Sequence, residues 1–421
     1  MAGRIRLGAD VGGTFTDVVL ATGESLVTAK VPSTADQSVG VLHGVEKACE
    51  EAGIDPTAVE EFTHAMTVSV NALLERDGAK TALVTTEGFR DVLEIGRQDR
   101  PDLYDLSAER PEPLVPRRRR FEIPERSTPE GIEDGVDEGA ARDVAAEIRE
   151  CDAESVAVSL LHAYADPRNE QRVVDILETE LDVPISASHE VLAEFREYER
   201  TSTTVVDAYV TPAIDRYLGR LSQRAAETGL PEPLVMQANG GIAAIETVRE
   251  HAVTTTMSGP AAGVVGANAA AGEVTEERGL HGLVTFDMGG TSSDVSLVRD
   301  GEAARTTQGV INDRPIKTPM VDVETVGAGG GSIAWVDSGG ALRIGPRSAG
   351  ADPGPACYGN GGTRPTVTDA NLVLGYIGSS TSLGGELSLD ERAAHDVLAD
   401  LADEAGLDSA LDAARGVYRV A

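Results

Sequence analysis

The opening of the chain alternates short apolar runs with polar turns. Apolar-rich segments at Ile5–Ala9, Asp17–Ala21 and Ser25–Val31 predict three strands. The turn Val-Gly-Gly-Thr-Phe-Thr joins the first two strands and makes them a hairpin. Apolar positions at helical spacing then predict helices over 36–52 and 67–78. A strand hairpin followed by helices is typical of an α/β fold.

The next 110 or so residues contain a regular alternation and one interruption. The predicted elements are a buried strand at Thr81–Thr85, helix 140–150, strand Ser155–Leu161, helix 167–181 and strand Pro184–Ala187. This alternation predicts a parallel or mixed sheet. Residues 107–139, with five prolines, predict an irregular connection or a small extended subdomain.

The second half repeats the alternation of helices and strands with many more glycines. Its predicted elements are a long helix over 202–228, strand Val235–Gln237, a small-residue helix over 261–271, strands Gly282–Asp287 and Val295–Arg299, and glycine- and proline-rich loops over 327–362. Gly263 and Gly266 permit close backbone packing of the small-residue helix.

Composition narrows the classes of function. A chain of 421 residues predicts two or three domains. Its net charge of −34 repels phosphate backbones and anionic lipid, which disfavours nucleic-acid and membrane partners. Many acidic residues with four lysines are typical of a salt-rich cytoplasm, and a merely acidic mesophilic protein is the alternative. The start of the chain has no apolar signal core, and no apolar run approaches a membrane span, so a soluble, cytoplasmic protein is predicted.

The positions of the lysines, cysteines and histidines argue against a phosphate loop, a cysteine-based site and a zinc hydrolase site. None of the lysines follows a glycine, so the sequence has no Gly-Lys-Ser/Thr phosphate loop. The three isolated cysteines Cys49, Cys151 and Cys357 form neither a disulfide framework nor a CxxC clip. The histidines show no HExxH pattern, so a zinc hydrolase is not indicated.

An internal repeat contains the residues that indicate a chemical function. The segment Asp10-Val-Gly-Gly-Thr-Phe-Thr-Asp17 recurs 277 positions later as Asp287-Met-Gly-Gly-Thr-Ser-Ser-Asp294, each time between apolar strands. Adjacent glycines let backbone N–H groups approach an anion, and hydroxyl side chains add donors. Two such hairpins facing one cleft predict a nucleotide site. The predicted phosphate-binding residues are Gly12, Gly13, Thr14, Thr16, Gly289, Gly290, Thr291 and Ser292.

The strand-end carboxylates complete this prediction. Asp10 and Asp287 cannot bind phosphate directly, but they suit the hydration shell of Mg²⁺, which takes one or two carboxylates and keeps several waters. They are therefore predicted as the catalytic and metal-binding residues. Asp17 and Asp294 are predicted to brace the hairpins.

Paired glycine hairpins resemble those of the actin, sugar-kinase and heat-shock ATPases. A narrower resemblance, to the hydantoinase A/5-oxoprolinase family, rests on blocks that include HAMTVSVNALLER (64–76), TEGFRDVLEIGRQDRPDLYDL (86–106), ERTSTTVVDAYVTP (199–212), SGPAAGVVGA (258–267) and PRSAGADPGPACYGNGG (346–362). It implies two actin-like α/β domains around a nucleotide cleft, at 1–198 and 199–421.

The resemblance also implies an activity. In that family ATP phosphorylates a lactam or imide carbonyl, water opens the ring, often on a B subunit, and close relatives activate ketones for carboxylation. MgATP, a cyclic amide of the hydantoin or 5-oxoproline type, and a B-type subunit are the implied cofactor, substrate and partner. A sugar-kinase-like phosphotransferase and a non-catalytic ATP-binding subunit remain alternatives.

Two departures from the family pattern qualify the implied site. Met66 and Val70 stand where the family has threonines, which alters that pocket. The family continues past the end of this chain with an adenosine loop, so we expect a truncated or split polypeptide that binds nucleotide weakly alone. We also expect exposed apolar surface near 395–421, at Val397, Leu398, Leu401 and Leu407.

Further residues are predicted near the cleft. Asn239, Gly240, Ser258 and Gly259 are candidate substrate-binding residues in the family, with an ordinary turn and a helix cap as the alternative. His64 is a substrate candidate or a buried imidazole. Gly329 and Gly330 are predicted to cradle a phosphate or adenosine. Cys357 has no adjacent base, so it is interpreted as structural. The run Arg117–Arg120 lies among acids and is interpreted as a solvated edge or a set of ion pairs.

Overall fold

A computed structural model describes residues 4–13, 15–23, 25–34, 36–99, 104–105, 107–108, 110–350, 352–378 and 388–421. Up to residue 191 its elements are β1 (Arg6–Val11), β2 (Phe15–Ala21), β3 (Leu26–Pro32), α1 (Gln37–Ala52), β4 (Glu61–Ala65), α2 (Val68–Glu75), β5 (Thr81–Thr86), α3 (Val92–Ile95), β6 (Arg120–Ile123), β7 (Arg126–Thr128), β8 (Gly131–Asp134), α4 (Glu138–Glu150), β9 (Ser155–Ser159), α5 (Arg168–Glu180), β10 (Ile185–Ala187) and α6 (Ser188–Val191).

The remaining elements include the longest helix and the second glycine hairpin. They are α7 (Glu197–Glu227), β11 (Leu234–Met236), β12 (Ile242–Ala243), α8 (Ile245–Glu250), α9 (Ser258–Glu277), β13 (Gly282–Met288), β14 (Ser293–Arg299), β15 (Glu302–Ala303), β16 (Arg305–Thr306), β17 (Gly309–Ile311), β18 (Arg314–Ile316), β19 (Met320–Val321), β20 (Val323–Val326), β21 (Ser332–Val336), β22 (Leu342–Ser348), α10 (Val367–Val373), α11 (Glu391–Ala405) and α12 (Ala410–Val420).

The first sheet contains the first glycine hairpin. Its order is β12-β11-β4-β1-β2-β3, with β1, β2 and β3 antiparallel and with β4 parallel to β1. Alternate residues of β1 and β2 enter a core shared with α1 and α7. Helix α1 starts at an Asp36 cap that accepts the Ser38 N–H, and it ends at Gly53, whose φ of +66° favours glycine.

A second sheet, β10-β9-β5-β6, is parallel throughout, as the alternation of helices and strands predicted. The segment 107–139 is more regular than expected, because β6 joins this sheet and β7 pairs with β8. Arg120 is buried and donates to Glu94 at 2.8 Å, and Arg117 pairs with Asp91 at 2.9 Å. Ion pairs are therefore confirmed for two of the four arginines of this run.

The second glycine hairpin belongs to a separate small sheet. Strand β14 pairs antiparallel with β13, β15 and β20, and α9 packs on one face of this sheet. Strands β11 and β12 complete the first sheet although they follow residue 198, so the predicted division at 198/199 remains a sequence-based prediction. Among the described helices, none combines the length and hydrophobicity that crossing a bilayer requires.

The last helices form a small core of their own. Leu398 and Leu401 of α11 are buried with residues of α10 and α12. The expectation that they would be exposed was therefore wrong, because α10, which precedes them in the chain, and α12, which follows them, cover them. Val397 is half-buried, and Leu407 alone of the four is exposed, at 38%.

Candidate functional site

Both glycine hairpins turn in the same way. The Gly12 N–H donates to Phe15 O at 3.0 Å, and the Gly289 N–H donates to Ser292 O at 2.9 Å. Gly13 and Gly290 are exposed, and neither N–H has an acceptor among the described residues. These two N–H groups are therefore available to an anion.

The structure describes the predicted hydroxyl donors of the second turn but not Thr14 of the first. Thr14 lies outside the described residues. Thr291 is exposed and Ser292 is half-buried at the tip of the second hairpin. The phosphate role of these hydroxyls remains a prediction.

Helix α9 lies against the strand ends of both hairpins. A Cβ placed on Gly259 would lie 3.8 Å from Asp10 Oδ1, and one on Gly263 would lie 3.3 Å from Asp287 Oδ2. The two carboxylates thus contact successive turns of one helix, although 277 positions separate them in the chain. The strand ends of both hairpins therefore lie against one helix, and the closeness of the two carboxylates explains the glycines at these positions of α9.

Asp10 lies in an environment that is unfavourable for its negative charge. Its Oδ1 is buried and has no hydrogen-bond partner within the described residues. Burial above all, together with the charges of Asp17 and Asp287, raises the pKa of Asp10 to about 6, and Lys30 opposes this rise. A buried carboxylate without a partner is unfavourable, and a cation would relieve it.

The donor set fits magnesium held through water. Within the described residues there is no group of three or more His, Cys, Asp or Glu side chains that would form a closed metal cage. Mg²⁺ instead takes one or two carboxylates and keeps several waters, which suits a pair of carboxylates of which one has an unpartnered oxygen. Asp10 and Asp287 are the residues that would hold it.

The cross-strand aspartates brace the hairpins by different means. Asp17 lies opposite Asp10 in the register and is paired with Lys30 Nζ at 2.6 Å. Asp294 lies opposite Asp287 and accepts from Thr325 Oγ1 at 2.7 Å. The first hairpin therefore has a balancing cation and the second has a neutral donor, a difference that the repeat did not predict.

The glycine-rich loop after β20 supports the second hairpin from behind. The Gly330 N–H donates to Gly289 O at 2.9 Å, and the Gly331 N–H donates to Gly290 O at 2.6 Å. Gly329 is buried, and its missing Cβ would lie 2.7 Å from Thr291 C. The expectation that Gly329 and Gly330 cradle a phosphate is therefore corrected, because the hairpin already occupies them.

Thr16 also lies away from the cleft. Its side chain is fully buried, and its hydroxyl lies 3.5 Å from Ser33 Oγ on the side of the sheet that α1 covers. Strand alternation explains this, because Thr16 points to the face opposite that of Asp17. The Thr16 hydroxyl is thus not a phosphate ligand in this structure.

His64 is a buried structural imidazole. Its Nδ1 lies 3.2 Å from Ala9 O, and its Nε2 lies 2.7 Å from the Tyr217 hydroxyl. Burial lowers its pKa to about 4, so the ring is neutral at physiological pH. Of the two interpretations of His64, the structure supports the buried one, since both nitrogens are occupied.

Residues at the starts of α9 and α2 form hydrogen bonds between segments that lie far apart in the chain. Ser258 Oγ donates to Met66 O at 2.9 Å, which places Ser258 in a buried contact rather than at an open surface. Thr67 Oγ1 donates to Val11 O at 3.1 Å, directly before the first glycine turn. Sequence reasoning missed Thr67, although its position between a strand and a helix signals such a contact. Met257, before α9, has a φ of +67°, a strained value for this residue.

The other substrate candidate lies in a turn beside α9. Asn239 Oδ1 accepts the Gly241 N–H at 2.7 Å, and Gly240 lies against Val265 of α9. This turn joins β11 and β12, and its contact with substrate remains a prediction.

Cys357 is fully buried, and burial together with Asp369 raises the pKa of its thiol, which fits a structural role.

Magnesium affinity should depend on the charge of Asp10. With a pKa of about 6 in the folded chain, most Asp10 is protonated at pH 5 and ionised at pH 7. A proton must leave before the cation binds, so we expect Mg²⁺ to bind about tenfold more weakly at pH 5 than at pH 7. Titration calorimetry with MgCl₂ at constant molar KCl measures this change.

Asp207 supplies a matched control for that experiment. Its pKa is likewise raised to about 6 by burial, but its carboxylate is bonded to Ser186 Oγ and to the Val253 N–H. Asp207→Asn should preserve the pH dependence of Mg²⁺ binding, whereas Asp10→Asn should remove it. Equal behaviour of the two variants would contradict the assignment of Asp10.

Comparison with known proteins matches both halves of the chain to one family. Residues 6–181 match the hydantoinase/oxoprolinase N-terminal region, and residues 200–421 match hydantoinase/oxoprolinase. The caprolactamase alpha subunit of Pseudomonas jessenii is 40% identical over 93% of this chain and 58% of its own length.

Two solved structures are similar over the whole chain. The ATP-dependent caprolactamase of P. jessenii has a TM-score of 0.83 at 38% identity and is matched over 99% of this chain. Nucleotide-free acetone carboxylase has a TM-score of 0.83 at 30% identity and is matched over 100% of this chain. The chain spans 61% of each of these two proteins.

Proposed function

Because the chain belongs to the hydantoinase/oxoprolinase family, we propose that it is an ATP-dependent subunit that phosphorylates the carbonyl oxygen of a cyclic amide. The observation that carries the proposal is that two strand-end carboxylates, each just before a Gly-Gly turn, lie against one helix. Such a site grips a polyphosphate from both sides and suits phosphoryl transfer, which depends on positioning and electrostatics.

The residues of this chain would bind and orient the reactants. The Gly13 and Gly290 N–H groups would donate to phosphate oxygens, and Asp10 and Asp287 would hold Mg²⁺ through water. When bound, that ion neutralises charge on the phosphate oxygens. Asp17 and Asp294 would keep the two turns in place through Lys30 and Thr325.

The proposed reaction has two steps, phosphoryl transfer to the amide oxygen and hydrolytic opening of the ring. The bond between the γ-phosphorus and its bridging oxygen breaks, ADP leaves with the electron pair, and the amide carbonyl oxygen forms the new P–O bond. Water then adds to the activated carbon, and the C–N bond breaks as the ring nitrogen takes up a proton, which opens the ring and leaves an acyl phosphate. A second water hydrolyses the acyl phosphate to a carboxylate and inorganic phosphate. The second step would take place with a B-type subunit, as the family resemblance implies.

A ketone is the second candidate substrate class. Acetone carboxylase is as similar in structure as caprolactamase, with the same TM-score of 0.83. A ketone enolate oxygen can accept the phosphoryl group as an amide oxygen does, so the first step would be shared. The 38% identity to the caprolactamase structure against 30% to the acetone carboxylase structure favours the amide.

Substrate-dependent ADP release tests the proposal. In molar KCl with MgATP, we expect caprolactam, 5-oxoproline or hydantoin to raise ADP release at least tenfold over the rate without substrate. Acetone and acetophenone test the ketone class, and omission of MgCl₂ is the control. Stimulation by glucose alone would refute amide activation in favour of a sugar kinase. ATP binding with no stimulation by any substrate would indicate a non-catalytic subunit.

A further inference from the structure

A cavity of about 530 Å³ lies between α3, the start of α7 and the hairpin β17–β18. Cavities that bind small molecules typically enclose about 300–1,000 Å³ and often lie between domains. We call this space the α3–α7 cavity. Both family-matched regions of the chain line it, the first with Leu93, Arg110 and Leu114 and the second with Ser202, Val205 and Arg314.

Hydrogen bonds to α7 fix the hairpin that closes one side of the cavity. Ser202 Oγ donates to Pro315 O at 2.9 Å, and the Lys317 N–H donates to Thr203 Oγ1 at 3.0 Å. Ser202, Thr203 and Lys317 are buried, and Pro315 is half-buried. This wall is therefore a fixed part of the fold, as is usual for small-molecule sites.

Helix α2 separates the cavity from the first glycine turn. Thr67, before the helix, contacts Val11 O beside that turn. At the other end of the helix, Asn312 Nδ2 donates to Leu73 O at 3.4 Å, and Asn312 precedes Asp313, which lines the cavity. Eight helical residues span about 12 Å, so the cavity is a second site, distinct from the glycine turn.

The cavity contains a buried cation without a carboxylate partner. Arg314 is only 7% exposed, and its guanidinium donates to Asn312 O at 2.9 Å and to Glu112 O at 2.6 Å. A guanidinium has five N–H donors, so the other three have no partner among the described residues. A buried charge that only carbonyl groups contact is unfavourable, and an anion would relieve it.

Most other charges that line the cavity are already balanced. Three ion pairs account for them, namely Arg97–Glu199, Arg110–Asp99 and Arg120–Glu94. Asp313 is exposed, so solvent screens its charge. Arg314 is therefore the cation of the lining that is left to attract a ligand.

Tyr198 supplies a neutral donor to the same space. A Cβ placed on Gly96 would lie 3.4 Å from Tyr198 Cζ and 2.6 Å from Arg110 Nη1, so the hydroxyl end of the ring lies near Arg110. Burial raises the pKa of Tyr198, and the charges of Arg110 and Arg314 oppose this rise, which indicates that both cations are near. The hydroxyl has no hydrogen-bond partner in the part of the chain that the structure describes.

The remaining walls are apolar. Leu93 and Leu114 pack with the buried Val205, and Pro315 lines the side formed by the hairpin. An inorganic anion would leave these walls without a contact, whereas the carbon chain or ring of an organic acid would cover them.

We propose that the α3–α7 cavity binds a small organic carboxylate, which accepts hydrogen bonds from Arg314 and Tyr198 while its apolar part lies against Leu93 and Val205. A planar guanidinium suits a carboxylate because it can donate two parallel hydrogen bonds. The binding proposal does not depend on the reaction that the protein catalyses.

Calorimetric titration of this chain with sodium hexanoate, without nucleotide, tests the proposal. We expect a Kd below about 1 mM for hexanoate. Hexanamide has a similar shape but no charge and should bind at least tenfold more weakly. The titrations use the lowest KCl concentration that keeps the chain folded, because salt screens charged contacts. Asp10→Asn should bind hexanoate as the unchanged chain does, so a failure at the nucleotide site would not alter this result.

The source of the acid is distinguished by a second probe. Opening of a lactam ring releases an amino acid, and 6-aminohexanoate is the ring-opened form of caprolactam. Tighter binding of 6-aminohexanoate than of hexanoate would identify the product of the proposed reaction as the ligand. The reverse order would identify an acid from another reaction, and either order supports a carboxylate site.

Two substitutions connect the binding to the cavity. Tyr198→Phe removes only the unpartnered hydroxyl, so we expect about fivefold to tenfold weaker hexanoate binding at an unchanged Tm. Tyr418→Phe, at a 54% exposed position of α12, is the matched control and should change neither. Val310→Glu adds a negative charge at the 69% exposed edge of the cavity and should weaken hexanoate, but not hexanamide, at least fivefold.

Three results would overturn the proposal. They are the absence of hexanoate binding, equal affinities for hexanoate and hexanamide, and hexanoate binding that neither Tyr198→Phe nor Val310→Glu weakens. Leu26→Glu, at a 67% exposed position of β3, is the control for the added charge. If it weakened hexanoate binding as much as Val310→Glu does, the effect would come from the net charge and the cavity would not be the site.

Discussion

Replacing Asp10 with asparagine should lower substrate-dependent ADP release by about 10²–10³-fold while making the nucleotide-free chain more stable at pH 7–8. The loss of activity follows because Asp10 Oδ1 is the buried oxygen without a partner, and asparagine cannot offer the cation a charge. Such opposite effects on activity and stability are typical of sites that are held in an unfavourable state until the ligand binds.

The sign of the stability change follows from the raised pKa. The folded chain binds the Asp10 proton more tightly than the unfolded chain, so the ionised form opposes folding above about pH 6. The rise in the pKa of Asp10 from 3.8 to about 6 corresponds to about 2–3 kcal/mol of unfolding free energy, which asparagine should recover. Urea unfolding at pH 7.5 without Mg²⁺ measures this gain.

Asp17→Asn is the matched control, since it removes a carboxylate from the same hairpin. Asp17 is exposed and paired with Lys30, so we expect its replacement to change activity less than about tenfold. Its unfolding free energy should change by less than about 1 kcal/mol. If Asp10→Asn kept full activity, or if both variants lost it equally, Asp10 would not hold the metal.

Replacing Gly329 with alanine should cost about 2–4 kcal/mol of stability and weaken ATP binding at least tenfold. The new Cβ would lie 2.7 Å from Ser292 N and Thr291 C and 2.8 Å from Gly289 O. All three are backbone atoms of the second glycine turn, so no flexible side chain can move aside. The turn itself must shift, and its Gly290 N–H must leave the phosphate position.

Gly327 provides the comparison within the same loop. A Cβ at Gly327 would meet nothing within 4 Å, and its backbone conformation suits any residue. Gly327→Ala should therefore leave both ATP affinity and the unfolding midpoint close to those of the unchanged chain. Urea unfolding and calorimetric titration with MgATP report the two quantities separately. Equal ATP affinity in the two variants would show that the loop does not support the hairpin.

Local patterns predicted the parts of the site that neighbouring residues determine. The repeat around Asp10 and Asp287 was sufficient to predict two hairpins, because a Gly-Gly turn between apolar strands specifies its own geometry. The helices and strands that periodicity predicted are present, mostly with ends within a few residues of the predicted ones, since one face of each is buried. The parallel sheet around β5 and β9 followed from the alternation of elements.

The sequence alone determined that this chain carries two matched Gly-Gly turns with acidic strand ends, because turn chemistry and strand alternation act over a few residues. Only the tertiary structure decided that α9 brings Asp10 and Asp287 to one site, that Gly329 supports a turn, and that His64 is buried. These properties depend on contacts between segments that lie far apart in the chain, and burial is set by whichever segments pack there, so no local pattern contains them.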